Sequence, residues 1–276
     1  MPHAIVNDAK LYYEDTGGDK PVVLFTHGIF FSSAMFEPQF EALSARFRCI
    51  GLDWRGQGKS EATLGGYDVD NLARDCMALM THLGVDQFHW VGLSIGGVVG
   101  IRMAAEHPSR IKSLFAIGAA ADCEPYEKLA KYESLFDKIL VEGFESIRAQ
   151  MAPIIFGPDF LTDTSRVSLK EKWLDIMCAN DRVACCRAAA PILRRRDIRY
   201  LLPHVKCPVF VTTGEHDGAN GPARAQMIHS GIANSKLEII PRAGHTPTIE
   251  EPAVLNAMLM KFLEQHAGFP EGMPPA

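Results

Sequence analysis

Short apolar runs, each followed by a stretch with helical periodicity, restrict what this chain can fold into more than any other feature. PVVLFTH at 21–27, RCIGLD at 48–53, FHWVGL at 88–93 and IKSLFAIGA at 111–119 read as strands of the kind buried in a parallel sheet. Between them lie MFEPQFEALSARF, YDVDNLARDCMALMTHLG and GGVVGIRMAAEHP, which are helix patterns. In the second of these, Val69, Leu72, Cys76, Leu79, Met80 and Leu83 fall on one face. Such alternation predicts an α/β fold with a mostly parallel central sheet covered on both sides by helices. A short opening pair of strands, joined through a turn at Gly17-Gly18, is expected ahead of it.

The alternation stops between 122 and 204, where EPYEKLAKYESLFDKILVEGFESIRAQ, SLKEKWLDIMCAN and RVACCRAAAPILRRR are helix-like. It resumes with CPVFVTTG, a helix near 222–230, the strand KLEIIP and a helix at 252–265. Neither alternating block has enough elements to form a large covered sheet alone. Residues 1–121 and 205–267 are therefore read as one core, 122–204 as a helical cap inserted into it, and 268–276 as a loose tail.

A chain of 276 residues that is 47% apolar can bury such a core. Its formal net charge of −5 gives no electrostatic reason to expect nucleic acid or an anionic membrane as a partner. MPHAIVNDAK lacks the apolar run of a secretory signal, and no later stretch is long enough to cross a bilayer, so a cytoplasmic protein acting on a small molecule is expected. The seven cysteines have neither zinc-site spacing nor the density of a disulfide scaffold, and no HExxH or other metal-ligand cluster occurs. Neither metal nor cofactor is expected. Adjacent Cys185 and Cys186 should place one thiol inward and one near the surface, and Arg194 to Arg196 should form a solvated helix end.

The chemistry centres on VGLSIGG at 91–97, where Gly92-Leu93-Ser94-Ile95-Gly96 closes a buried strand and opens a helix. A G-x-S-x-G match in that setting presents the serine on a tight turn that larger residues two positions away would obstruct. The alternative for Ser94 is a helix cap. A hydroxyl nucleophile needs a base, and among ten histidines His245 follows a strand and precedes the last helix, on the same sheet edge as Ser94. Asp217, after CPVFVTTG, fits the chain order nucleophile, acid, histidine; Glu215 and Asp122 remain alternatives for the acid, and His216 is the rival base. THGIFF offers Ile29 N–H beside Gly28 as an oxyanion donor to pair with Ile95 N–H, while His27 reads as a structural hydrogen-bonding residue.

Five segments in the expected order, THGIF, DWRGQGKS, GLSIGG, VTTGEHD and AGHTPTIEEP, resemble the α/β-hydrolase superfamily over nearly the whole chain. That resemblance implies a triad of Ser94, Asp217 and His245, oxyanion donors at Ile29 and Ile95, and a loop near the site shaped by Arg55, Gly56 and Gly58. Including CCRAAAPILRRRDIR, the chain is similar to the carboxylesterase and 3-oxoadipate enol-lactonase group, although GANGP at 218–222 departs from the Thr-Pro pattern that enol-lactonases carry after the acid. The implied activity is cleavage of a carboxylic ester or lactone through an acyl-enzyme. Carbon–carbon bond hydrolases of ring-cleavage dienes share the same triad, and a non-catalytic ligand-binding member of the fold is the third reading. Expected pocket residues are Phe30, Trp54, Tyr132, Phe136, Phe144, Met151 and Phe156, although packing of amphipathic helices accounts for such side chains equally well.

Overall fold

The computed structural model describes residues 2–268; the expected tail therefore lies, beyond Gly268, outside the described residues. Strands β1 (His3–Val6) and β2 (Ala9–Asp15) form a hairpin. Its turn is Asn7-Asp8, with φ of 48° and 58°, and not Gly17-Gly18, which follows β2. A type I′ two-residue hairpin loop needs left-handed backbone at both positions, and Asn and Asp tolerate it better than other residues with side chains.

The apolar runs become β3 (Val22–Thr26), β4 (Arg48–Leu52), β5 (Phe88–Leu93), β6 (Ile111–Ile117), β7 (Val209–Gly214) and β8 (Ser235–Ile240). They form an eight-stranded sheet of order β1-β2-β4-β3-β5-β6-β7-β8. Every pairing from β4 to β8 is parallel, whereas β1 with β2 and β2 with β4 are antiparallel. Helices α1 (Glu37–Leu43), α2 (Val69–His82) and α3 (Ile95–Glu106) connect the first parallel strands. Between β6 and β7 the chain inserts a helical cap comprising α4 (Tyr126–Glu142), α5 (Arg148–Ile155), α6 (Pro158–Thr162), α7 (Val167–Cys178) and α8 (Arg182–Leu193). Helices α9 (Pro222–Gly231), α10 (Pro247–Glu250) and α11 (Pro252–His266) complete the fold. Among the described residues, no helix is long and apolar enough to cross a membrane.

Because side chains alternate along a strand, the sheet builds a core on each face. Leu24, Trp90 and Leu114 pack with α2 and α3 residues such as Leu72 and Val99, while Phe25, Val91 and Phe115 pack with Leu43 of α1, Leu259 of α11 and Met177 of the cap. Each fully buried Leu or Phe among them contributes about 1.5–3 kcal/mol relative to exposure. The strand order reverses at β3: the chain passes from β3 to β4 on one side and then to β5 on the other. Connections leaving neighbouring strands in opposite directions open a crevice at their carboxyl ends. Thr26 of β3 lies beside Gly92 of β5, so the loops carrying Ile29 and Ser94 flank that crevice.

Two surface expectations are corrected. Both Cys185 and Cys186 are buried, since α8 is covered on two sides: one thiol lies near Gly56 O and the other near Phe136 O. The arginine run is not uniformly solvated. Helix α8 stops at Leu193, and beyond it Arg194 is exposed while the Arg195 side chain turns inward to a carboxylate at Glu124.

Candidate active site

Ser94 has φ 56° and ψ −116° and stands immediately before α3. A non-glycine residue in so sparsely populated a region costs about 1–3 kcal/mol and persists only where its surroundings enforce it. Here close backbone approach does so. A Cβ on Gly92 would lie 2.3 Å from the Gly96 carbonyl carbon, and one on Gly96 would lie 2.1 Å from Thr26 O, so neither position accepts a side chain. The Ser94 N–H donates to Ile117 O at 2.8 Å, anchoring the turn to β6. Its hydroxyl makes no capping hydrogen bond to α3, which disposes of the helix-cap alternative.

Asp217 follows β7, and His245 follows β8 on the same edge. His245 Nδ1–H donates to Asp217 Oδ2 at 2.9 Å, which in the neutral imidazole leaves Nε2 as the acceptor. The Thr213 hydroxyl donates to the same oxygen at 2.6 Å, while Oδ1 accepts from the N–H groups of Ala219 (2.8 Å) and Asn220 (2.7 Å). Burial pushes this carboxyl up, but the charge and hydrogen bond of His245, with Thr213 and the Asn220 N–H, outweigh it and hold the group at about 2. The alternatives are engaged elsewhere. Glu215 accepts from Arg242 N–H at 3.2 Å and lies 3.9 Å from the exposed His216, and Asp122 pairs with Arg224 at 3.1 Å.

On the β3 side, His27 is fully buried, and its Nδ1–H donates to Gly28 O (2.7 Å) while Nε2 accepts the Trp54 N–H (3.0 Å). Burial lowers its basicity, so it is a neutral brace between two loops. Trp54 completes the brace by donating its indole N–H to His27 O at 2.7 Å. Phe30 has φ 70°, and its N–H donates to Gln57 Oε1 at 2.7 Å, so a side chain from DWRGQGKS pins the turn that carries Ile29. Arg55 lies in the same segment but forms a buried pair with Asp75 of α2 (Nε to Oδ2, 2.7 Å), fixing the loop to the core.

Ser94, His245, Ile29 and Ile95 line a single cavity beneath the cap. As the first residue of α3, Ile95 has an N–H with no acceptor within the helix. Of the expected pocket residues, Phe30, Tyr132, Phe136 and Met151 line this cavity. Trp54, Phe144 and Phe156 do not, because each is spent on packing behind the wall. Trp54 is bound to His27, Phe144 meets the Phe30 ring edge-on at 5.3 Å, and Phe156 packs on Phe160 at 4.8 Å. The wall also includes Ile154, Ile155, Ile192 and Leu193, as well as charged Glu124 and Arg195. Among the described residues, no group of three or more His, Cys, Asp or Glu side chains is placed to hold a metal ion.

Glu250, in α10, escaped the sequence reading. Its Oε2 accepts the N–H groups of Gly157 (2.7 Å) and Gly244 (2.9 Å), and Oε1 accepts the N–H (3.1 Å) and hydroxyl (3.0 Å) of Thr246. One buried carboxylate thus ties both neighbours of His245 to the cap, and His245 N–H itself donates to Ile155 O at 2.9 Å. Burial raises the Glu250 carboxyl above its ordinary value despite these donors. Glu250→Ala strands them without acceptors and is expected to cost on the order of 3 kcal/mol. Glu250→Gln keeps one oxygen and should lose less. Urea unfolding of the two variants measures this; an unchanged midpoint for Glu250→Ala would mean that the loop is secured by other contacts.

A crevice at the strand-order reversal, a serine on a strained strand-to-helix turn and a His–Asp pair at the ends of β7 and β8 define the class. The chain belongs to the alpha/beta hydrolase fold family, whose sequence profile matches residues 21–252. It is 27% identical over 251 residues to 3-oxoadipate enol-lactonase 2 of Acinetobacter baylyi, an alignment covering 90% of this chain and 91% of that one. Among solved structures it superposes on the enol-lactonase of Burkholderia xenovorans LB400 with a TM-score of 0.89 and 28% identity, covering 95% of this chain and 100% of that one. A thermophilic esterase from Thermogutta terrifontis gives a TM-score of 0.88 and 26% identity, with 96% and 98% coverage.

Proposed function

We propose that this protein hydrolyses a carboxylic ester or lactone through Ser94, His245 and Asp217. The observation that carries the reading is the 2.9 Å Asp217–His245 hydrogen bond on the cavity that also contains Ser94. His245 Nε2 accepts the Ser94 proton as Oγ attacks the carbonyl carbon, and Asp217 stabilises the imidazolium that results. The oxygen of the tetrahedral intermediate takes hydrogen bonds from the Ile29 and Ile95 amides, aided by the positive end of α3. Collapse expels the alcohol, which receives its proton from His245 and leaves an acyl group on Ser94. Water deprotonated by His245 then releases the acid; for a lactone, acid and alcohol are one molecule. The enol-lactonase and esterase among the structural neighbours support this choice of bond.

A panel of aryl esters of graded acyl length, simple lactones, enol lactones and a dienol ketone tests the reading. Ester or lactone turnover is expected to exceed that of the ketone. Faster cleavage of the ketone would move the protein to carbon–carbon bond hydrolysis.

A further inference from the structure

The cavity wall is largely apolar, yet Glu124 and Arg195 line it with side chains only 4% and 6% exposed. Arg195 Nη2 donates to Glu124 Oε1 at 2.9 Å, and Arg224 Nη1 donates to the same oxygen at 3.0 Å. Arg195 also donates to the carbonyls of Asp122 (3.1 Å) and Ile192 (3.4 Å). Arg224 continues to Asn220 Oδ1 at 2.6 Å, and Asn220 N–H reaches Asp217, so the charged pair is tied to the loop that carries the acid.

Two atoms of this pair are left over. Glu124 Oε2 and Arg195 Nε are buried, and neither has a hydrogen-bond partner among the described residues; Lys128 Nζ stands 3.5 Å from Oε2 as an ion pair only. Native interiors seldom leave such atoms unmatched, and an acceptor beside a donor is complementary to a group that carries both functions. Charge narrows the choice. Burial pushes the Glu124 carboxyl up, but Arg224, Arg195 and Lys128 outweigh it and hold it below its ordinary value, so Glu124 is an anion that only accepts. A carboxylate on the ligand would meet this anion, and an ammonium would meet Arg195 with Arg224 behind it.

Building on the ester or lactone reading above, we infer that Glu124 and Arg195 select a substrate bearing, away from the scissile carbonyl, a neutral group that both donates and accepts hydrogen bonds, such as a carboxamide. The amide N–H would pair with Glu124 Oε2, and its carbonyl oxygen with the Arg195 Nε–H.

The test uses alkyl esters of matched length, with the distal end methyl, carboxamide or carboxylate, in one series on the acyl chain and another on the alcohol. Binding is measured by calorimetry on the Ser94→Ala protein, where no turnover competes. In one series the carboxamide ester is expected to bind about tenfold tighter than the methyl ester, with the carboxylate weakest. Adding Glu124→Gln should bring the carboxamide-to-methyl ratio close to one. Methyl esters that bind as tightly as carboxamides in both series, a carboxylate that binds tightest, or a preference that survives Glu124→Gln would overturn the inference. If Glu124→Gln fails to fold, the ratios in the Ser94→Ala protein alone decide. Hydrolysis of the same esters by the unsubstituted protein is scored separately. Its absence counts against the esterase reading, while the binding ratios still judge the role of Glu124 and Arg195.

Discussion

Ser94→Ala is expected to reduce turnover of the best ester or lactone at least about a thousandfold while leaving the unfolding midpoint nearly unchanged. The two halves of this result follow from different observations. Removing Oγ deletes the atom that would bond to the acyl group, and no neighbouring hydroxyl shares its turn. The same hydroxyl makes no capping bond to α3, so its loss should cost far less than the ~1 kcal/mol of a true cap. Alanine also meets no more strain than serine at φ 56°, because both carry a Cβ. Steady-state kinetics with urea unfolding on the same preparation separates the two effects; retained turnover would remove Ser94 from the chemistry.

Asp217→Asn should lower turnover by a factor on the order of 10³–10⁴ with little change in shape. The cause is tautomeric. Asp217 Oδ1 accepts two backbone N–H groups, from Ala219 and Asn220, so an asparagine would keep its oxygen there and turn its NH₂ toward His245 and Thr213. The imidazole would then accept at Nδ1 and carry its proton on Nε2, where it cannot receive the one from Ser94. Kinetics of the variant, with the imidazole tautomer followed by nitrogen NMR, checks the claim. A variant within tenfold of the parent would show that Asp217 does not set the tautomer.

How much of this was legible beforehand depended on whether a residue's role is local. The turn around Ser94 could be read because its pattern falls within a pentapeptide: Gly92 answers to the backbone of Gly96 and Gly97, although Gly96 is required by Thr26 of β3, remote in sequence. The alternation of β3 to β6 with α1 to α3 was legible for the same reason, since burial on both faces leaves an apolar run and burial on one face leaves a helical stripe. The hairpin turn is harder to read, because its left-handed backbone is supplied by Asn7-Asp8 and not by the Gly17-Gly18 pair that marks such backbone most plainly.

Residues whose partners are remote in sequence left no such trace. Glu250 reaches Gly157 across 93 positions, and Gln57 reaches Phe30 across 27. Nothing in their immediate neighbours separates either from a surface side chain. Arg195 was hidden by its own run, because only the meeting with Glu124, 71 positions away, distinguishes it from Arg194. In the cap, aromatic stripes could be seen but not which of them reach the cavity: Phe136 does, whereas Phe144 and Phe156 are covered by Phe30 and Phe160.

The central claim is that Ser94 forms a covalent bond to the substrate's acyl group, and a fluorophosphonate probe tests this most directly. Incubation followed by intact-protein and peptide mass spectrometry is expected to show stoichiometric addition of a single phosphonyl group on Ser94, with activity falling in step and no labelling of Ser94→Ala. An unlabelled protein that still turns over substrate, or a phosphonyl group on a different residue, would contradict the account.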